Sequence, residues 1–171
     1  MVPMAQRTRL VRVNLTHQIL ELWQGAARLR RYSVSTGLAG AGEGYGSGCT
    51  PRGLHRVRLR IGAGCPIGTV FVGRRPTGEV YGPALTEACP GRDWILTRIL
   101  WLTGLESGRN RGGDCDTLRR FIYIHGCADS APMGVPLSQG CIRMRNADLV
   151  ELFDLVPNGT LVEISESGAH D

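Results

Sequence analysis

The sequence predicts a mainly β, single-domain fold: a β-sandwich or mixed sheet with one short helix after a loop that carries a cysteine. Three observations lead there. Apolar and polar residues alternate with a period of two between residues 8 and 36 and again from Leu54 to Ile61, the mark of strands with one buried face. Glycine is frequent, 24 of 171 residues, and separates those runs at turn positions. One stretch, Ala147 to Val156, carries its apolar residues at helical spacing. The length suits one domain, residues 1–171 with a core from about 8 to 164, and 42% apolar content is enough to fill it.

Taken in order, Leu10 and Val13, then Ile19, Leu20 and Leu22, then Tyr32 and Val34 read as two or three strands. Turns at Asn14–Thr16 and Gln24–Gly25 join them. From Gly37 to Gly53, seven of seventeen residues are glycine, too many for a strand interior, so this stretch is expected to be a mobile loop flanking a substrate cleft. Residues 54–61 place Val57, Leu59 and Ile61 on one face and Arg56, Arg58 and Arg60 on a solvated one. Val70–Val72 reads as a short buried strand. Asp93–Thr103 fits either period. Leu118–Ile124 reads as a strand running straight into His125. The helix is expected to start at an Asn146 N-cap, with Asp148 near its positive end, and to stop at Pro157 and Gly159. A last strand spans Thr160–Ile164, and the tail after Ser165 is expected to fray.

Composition removes several function classes. The 20 basic residues are all arginine, so a Schiff-base lysine and a Walker-type phosphate loop are excluded. The net charge of +5 is mild, and no aromatics interleave with the arginines, which speaks against nucleic acid. No run approaches the ~18 apolar residues of a membrane span. Met1–Trp23 is interrupted by Arg7, Arg9, Arg12, Asn14, His17 and Glu21 and so lacks the apolar centre of a signal peptide. The expectation is a cytoplasmic protein, or a periplasmic one if the true translation start lies upstream. Six cysteines in such a chain argue against a disulfide framework. Without a C-x-x-C pair, His125, Cys127 and Cys141 are the one weak ligand set; neither metal nor cofactor is expected.

The chemistry concentrates between Arg120 and Asp148. A thiol needs a base to become a nucleophile at neutral pH, and imidazole is the usual one. His125 stands at the end of a strand, and Cys141 follows sixteen residues later across a loop able to fold back. Gly140 permits a tight turn beside the sulfur, and N–H groups around Gln139, Gly140 and Cys141 are candidate oxyanion donors, with Ser138 in support. Arg143 offers a planar fork to a substrate carboxylate, and Tyr123 is a further candidate substrate contact. The His-before-Cys order disfavours a papain-like protease, and the spacing disfavours a caspase.

The run Ile124-His125-Gly126, followed by Ser138-x-Gly140-Cys141-Ile142-Arg143-Met144-x-Asn146-x-Asp148-x-x-x-Leu152, resembles the catalytic motif of the L,D-transpeptidase (YkuD-type) family. Upstream, Ser35-Thr36-Gly37 and Thr50-Pro51-Arg52-Gly53 are similar to that family's second signature, so the resemblance runs from about Leu10 to Ile164. It implies a YkuD-like, largely β domain in which Cys141 attacks the carbonyl between the L-centre of a diamino acid and a terminal D-alanine of a peptidoglycan tetrapeptide. His125 then acts as base and acid, with the Gly126 carbonyl orienting the imidazole, and Ser138 and Arg143 support the site and bind substrate. It also implies reactivity toward carbapenem-type inhibitors. Two positions depart from the commonest pattern: Gln139 stands where many members have histidine, and Cys127 where threonine is usual. Cys127 is therefore a candidate redox neighbour, able to switch the enzyme off by pairing with Cys141. The expected outcome is L,D-carboxypeptidase work on recycled muropeptides, with L,D-transpeptidation (3-3 cross-links or amine attachment) as the alternative. An inert peptide binder or a redox sensor is disfavoured by the intact motif.

Overall fold

Arg9–Asn14 (β1), Ile19–Gln24 (β2) and Ala27–Ser35 (β3) form the antiparallel meander that their alternation predicts, with Val11, Val13, Leu20, Leu22, Tyr32 and Val34 turned inward. The structure is a computed structural model and describes residues 8–166. The tail expected to fray lies, from residue 167 on, outside the described residues. Beyond the meander come Gly53–Ile61 (β4), Thr69–Val72 (β5), Arg75–Val80 (β6), the helix Pro83–Ala88 (α1) and Leu96–Gly104 (β7). Tyr123–Gly126 (β8), Ile142–Met144 (β9), the helix Asn146–Leu155 (α2) and Leu161–Ser165 (β10) complete the order.

The strands run β4-β10-β1-β2-β3-β9-β8-β7-β5-β6 in one sheet, and β4 also pairs with β7. Eight strands thus close into a ring, from which the β5–β6 hairpin projects through the single pair Val70↔Leu96. The pairs β1–β10 and β8–β9 are parallel and the others antiparallel. Inward residues of all eight ring strands share one core with Leu149, Leu152, Phe153 and Val156 of the helical segment. No helix among the described residues is long and apolar enough to cross a membrane.

Helix α2 shows which force decides. Arg145, in extended backbone, is its N-cap and offers no side-chain hydrogen bond. The cost of lacking one is about 1 kcal/mol, whereas each buried Leu or Phe contributes roughly 1.5–3 kcal/mol, so packing holds the helix. Asn146 is therefore not the predicted cap; it is the first helical residue, and its buried amide is committed elsewhere. At the other end, Arg9 and Arg60 donate to the carbonyls of Leu155 and Phe153, which would otherwise lack donors.

Three further expectations change. Residues 117–121 are turn, and the strand begins at Tyr123 rather than Leu118. The Asp116 carboxylate accepts the N–H groups of Gly112 and Arg119, and the Arg120 N–H returns to the Asp116 carbonyl, winding the chain where its apolar string suggested extension. In β4, a register shift between Val57 and Leu59 leaves Leu59 39% exposed, while Arg60 lies half-buried with its guanidinium 4.1 Å from the Phe153 ring centre. The ambiguous Asp93–Thr103 stretch becomes β7; α1, β6 and the three-residue β9 carry no readable period.

Candidate active site

Parallel pairing of β8 with β9 builds the site. The register sets His125 opposite Arg143 and Ile124 opposite Ile142, which brings Cys141 level with Tyr123. Side chains two apart share a strand face. Tyr123 and His125 therefore join Cys141 and Arg143 in lining one cavity of about 260 Å³, with Asp93, Ile95, Arg120, Phe121, Ser138 and Gln139 around them.

His125 is buried, and its Nδ1 lies 2.6 Å from the Gly126 carbonyl. A carbonyl only accepts, so Nδ1 carries the proton and Nε2 is left as the basic nitrogen. Burial lowers the imidazole's affinity for a second proton, which keeps it neutral, and hence basic, at physiological pH. The Cys141 sulfur accepts the Tyr123 N–H at 3.3 Å, and its S–H points to the Phe121 carbonyl at 3.3 Å. Burial pushes this thiol up to about 11, against the opposing Tyr123 N–H. The resting pair is thus thiol and imidazole, not an ion pair. Alkylation of Cys141 by iodoacetamide is accordingly expected to be slow at pH 7 and to accelerate nearly tenfold per pH unit toward pH 10, followed by peptide mass spectrometry. A rate already level at pH 7 would show a preformed thiolate.

The loop before Cys141 is closely fixed. Ser138 Oγ donates to the Cys141 carbonyl at 2.5 Å and accepts the Gly140 N–H at 3.1 Å. Gly140 is therefore not a free oxyanion donor, a correction to the sequence reading; the N–H groups of Gln139 and Cys141 meet no acceptor among the described residues. Gly140 sits at φ 121, and a side chain there would press on the Cys49 carbonyl at 3.0 Å. The 37–53 loop flanks this wall: Gly37 bridges Ser138, Leu38 N–H donates to the Ser138 carbonyl, and Thr50 Oγ1 donates to the Gly140 carbonyl at 2.8 Å. Arg120, half-buried, donates to the carbonyls of Gly42 and Cys49 and to Ser47 Oγ, so the loop is bolted to the residues beside the nucleophile.

Beneath the histidine, Asn146 spends its amide three times. Its Nδ2 donates to the Cys127 carbonyl and to Asp129 Oδ1, and its Oδ1 accepts Thr97 Oγ1–H at 2.6 Å. Gly126 packs against this network. A Cβ at that position would collide with Asn146 Oδ1 and stand 2.6 Å from the Leu96 carbonyl.

Arg143 does not wait empty-handed: it pairs with Asp93 Oδ1 at 3.0 Å and reaches the Leu137 carbonyl at 3.4 Å. Cys127 is buried with its thiol turned to the Met144 carbonyl at 3.6 Å, and burial pushes it up to about 11. It lies four residues along the strand from the level of Cys141. That is roughly 13 Å at ~3.3 Å per residue, against the ~7 Å Cα limit of a disulfide. The register does not favour the candidate redox pairing of Cys127 with Cys141. His125, Cys127 and Cys141 do not converge as ligands either, and no cluster of three or more His, Cys, Asp or Glu side chains among the described residues is placed to hold a metal.

Compared with known proteins, residues 8–164 match the family model described as YkuD, the L,D-transpeptidase catalytic domain. The chain belongs to this family. A Bacillus subtilis (strain 168) relative named "Putative L,D-transpeptidase YkuD" is 36% identical over 89 residues, which is 49% of this chain and 49% of that protein. Among solved structures, an L,D-transpeptidase from Xylanimonas cellulosilytica superimposes with a TM-score of 0.56 at 23% identity, over 95% of this chain and 63% of the other. An LD transpeptidase, LdtMt1, solved in complex with imipenem gives a TM-score of 0.54 at 16% identity, over 92% of this chain and 59% of the other. At these identities the structural likeness speaks to the fold alone. The chain spans about half of the curated relative and under two thirds of these solved chains.

Within this L,D-transpeptidase-family domain, the structure gathers Tyr123, His125, Gly126, Ser138, Gln139, Gly140, Cys141 and Arg143 and turns Cys127 away. Sequence reasoning missed Asp93, Arg120 and the Phe121 carbonyl. Asp93 and Phe121 sat in stretches of undecided or misread period, and Arg120 was one arginine among many. The structural signal is backbone strain: Thr97 at φ 76 and Phe121 at φ 56 adopt the left-handed region that branched and bulky side chains avoid, and both contact the site.

Proposed function

We propose that the chain is a cysteine acyltransferase that cleaves the bond between the L-centre of a diamino acid and the terminal D-alanine of a peptidoglycan tetrapeptide. One observation carries the reading: a neutral imidazole, held through Nδ1 by the Gly126 carbonyl, shares the face of a two-strand unit and a solvent-open cavity with the Cys141 thiol. The thiol proton passes to His125 Nε2 as the sulfur attacks the carbonyl carbon, and the oxyanion is met by the N–H groups of Gln139 and Cys141. The tetrahedral adduct collapses to a thioester as the imidazolium protonates the leaving amine of D-alanine. Water then attacks the thioester, gives up its proton to His125, and releases a tripeptide; the thiol is restored. In this reading the enzyme is an L,D-carboxypeptidase of muropeptide recycling. The six free thiols support a reducing, cytoplasmic setting.

A second reading, amine in place of water, is favoured by a separate observation. A cavity of about 680 Å³ between the 37–53 loop and Arg119–Ile122 adjoins the first and shares Arg120, Phe121, Ser138 and Gln139 with it. That is room for an acceptor stem. Incubation with soluble disaccharide tetrapeptide, with and without an amine acceptor, tests both. Tripeptide plus free D-alanine is the expected product; a cross-linked dimer would move the assignment to transpeptidation, and intact substrate under both conditions would end the proposal. Imipenem is expected to add its mass to Cys141.

A further inference from the structure

Two arginines, Arg120 and Arg143, line the catalytic cavity, and a third, Arg74, hydrogen-bonds to Tyr123 in its wall; the three spend their N–H groups differently. Arg143 is paired with Asp93, and Arg120 is used up on the carbonyls of Gly42 and Cys49 and on Ser47. Arg74 has one bond, from Nη1 to the Tyr123 hydroxyl at 3.2 Å, and no carboxylate meets it among the described residues. Its guanidinium carbon stands 5.0 Å from the Trp101 ring centre and 4.8 Å from that of Phe121, so two aromatic rings hold the cation in place.

The backbone adds an independent sign. Arg74 is a central residue of the tight β5–β6 turn, with Gly73 at φ 55 and Arg74 itself at φ 64. Such turns select glycine or asparagine, and a side chain kept in this conformation points to a ligand-facing role. The platform is also joined to the nucleophile. Phe121 carries one ring of the platform and, through its carbonyl, receives the Cys141 thiol. Tyr123 touches Arg74 with its hydroxyl and Cys141 with its N–H. One tyrosine with a hydrogen bond at each end therefore joins the cation to the sulfur, a path no longer than roughly four extended residues.

We propose that Arg74, on its Phe121–Trp101 platform, is a carboxylate subsite for the substrate, reading a free carboxylate of the stem peptide rather than its amide; this rests on the stem-peptide function proposed above. A planar guanidinium with open donors matches a carboxylate in bidentate fashion and discriminates against a neutral amide. Apart from the terminal carboxylate of the D-alanine itself, which departs with the leaving group, two carboxylates lie within reach of the scissile carbonyl: that of the second stem residue and, where the diamino acid is a dicarboxylate, the one at its side-chain end.

The test is calorimetric binding of tetrapeptides to Cys141→Ala protein, with both carboxylates free or with either one amidated. The same peptides are then titrated into protein that also carries Arg74→Asn, a residue tolerated at this φ. Amidation of one carboxylate is expected to weaken binding about 10- to 100-fold when Arg74 is present and less than about twofold when it is absent. The sensitive peptide identifies the source. Equal losses in both backgrounds, or no binding of any peptide, would overturn the subsite. Turnover separates the two levels of the argument. Release of D-alanine from free and amidated peptides alike would sink the subsite and leave the reaction standing. Arg74-dependent binding without any turnover would do the reverse. In the Cys141-bearing enzyme, Arg74→Asn is expected to raise KM and leave kcat within about twofold.

Discussion

Replacing Cys141 with alanine is expected to lower D-alanine release by at least about 10⁴-fold, with the fold intact. The size follows from the kind of step removed. In the proposed mechanism no thioester forms without the sulfur, and a residual water reaction draws only on binding and oxyanion contacts, a small part of an enzyme's acceleration. The fold survives because the thiol contributes two long hydrogen bonds, to Tyr123 N–H and the Phe121 carbonyl, and lies at the edge of a small apolar cluster. The measurement is tetrapeptide turnover beside a thermal melt and an imipenem mass-shift assay. Turnover within tenfold of wild type would remove Cys141 from the nucleophile role. A lost adduct with a normal melt would place the defect in the chemistry.

Gly126→Ala is expected to destabilise the protein by about 3 kcal/mol or more and to remove most activity at the same time. The added methyl meets Asn146 Oδ1 and, at 2.6 Å, the Leu96 carbonyl, neither of them the loose end of a flexible chain. Overpacking of this kind costs ~1–3 kcal/mol, and displacing Asn146 from Thr97 and the Cys127 carbonyl leaves buried polar groups unpaired at a further ~1–3 kcal/mol. For a domain of this length that corresponds to a fall in Tm of roughly 6–12 °C. Activity follows because the same peptide unit supplies the carbonyl that holds His125 Nδ1. Chemical denaturation and turnover of the one variant check both halves; a melt within 2 °C of wild type would mean the Asn146 network gives way more easily than its buried contacts indicate.

What was readable beforehand divides along physical lines. His125, Ser138, Gly140, Cys141 and Arg143 were legible because reactive groups of the required types fall close together in the chain, and a parallel two-strand unit needs little else to unite them. Asp93 reaches the cavity, and Arg74 reaches Tyr123 in its wall, from distant elements, only through the β7 and β5–β6 register, which no local pattern encodes. Asn146 misled because asparagine before an apolar stripe is a good local cap; its amide was taken by Thr97 and two residues of the 127–129 segment instead. Phe121 misled in the opposite way, as an apolar residue in an apolar string, since a reversal to φ 56 leaves no mark on residue type. Cys127 sits two residues from His125 in sequence, yet strand geometry carries it away from Cys141. The mainly β class and most strands followed from alternation, whereas the closure of the sheet, which depends on β4 pairing on both sides, did not.

That closure also bears on how the protein is made. The last ring strand is laid in parallel beside the first, Leu161 against Leu10 and Ile164 against Val13, and then against β4 on its other edge. During synthesis β1 and β4 therefore wait with open hydrogen-bonding edges until nearly the whole domain has emerged. Such long-range pairing makes for slow folding and gives chaperones a reason to attend the nascent chain. Cys141 leaves the ribosome about twenty residues ahead of β10, so the reactive sulfur is translated before the ring that shapes its surroundings can shut.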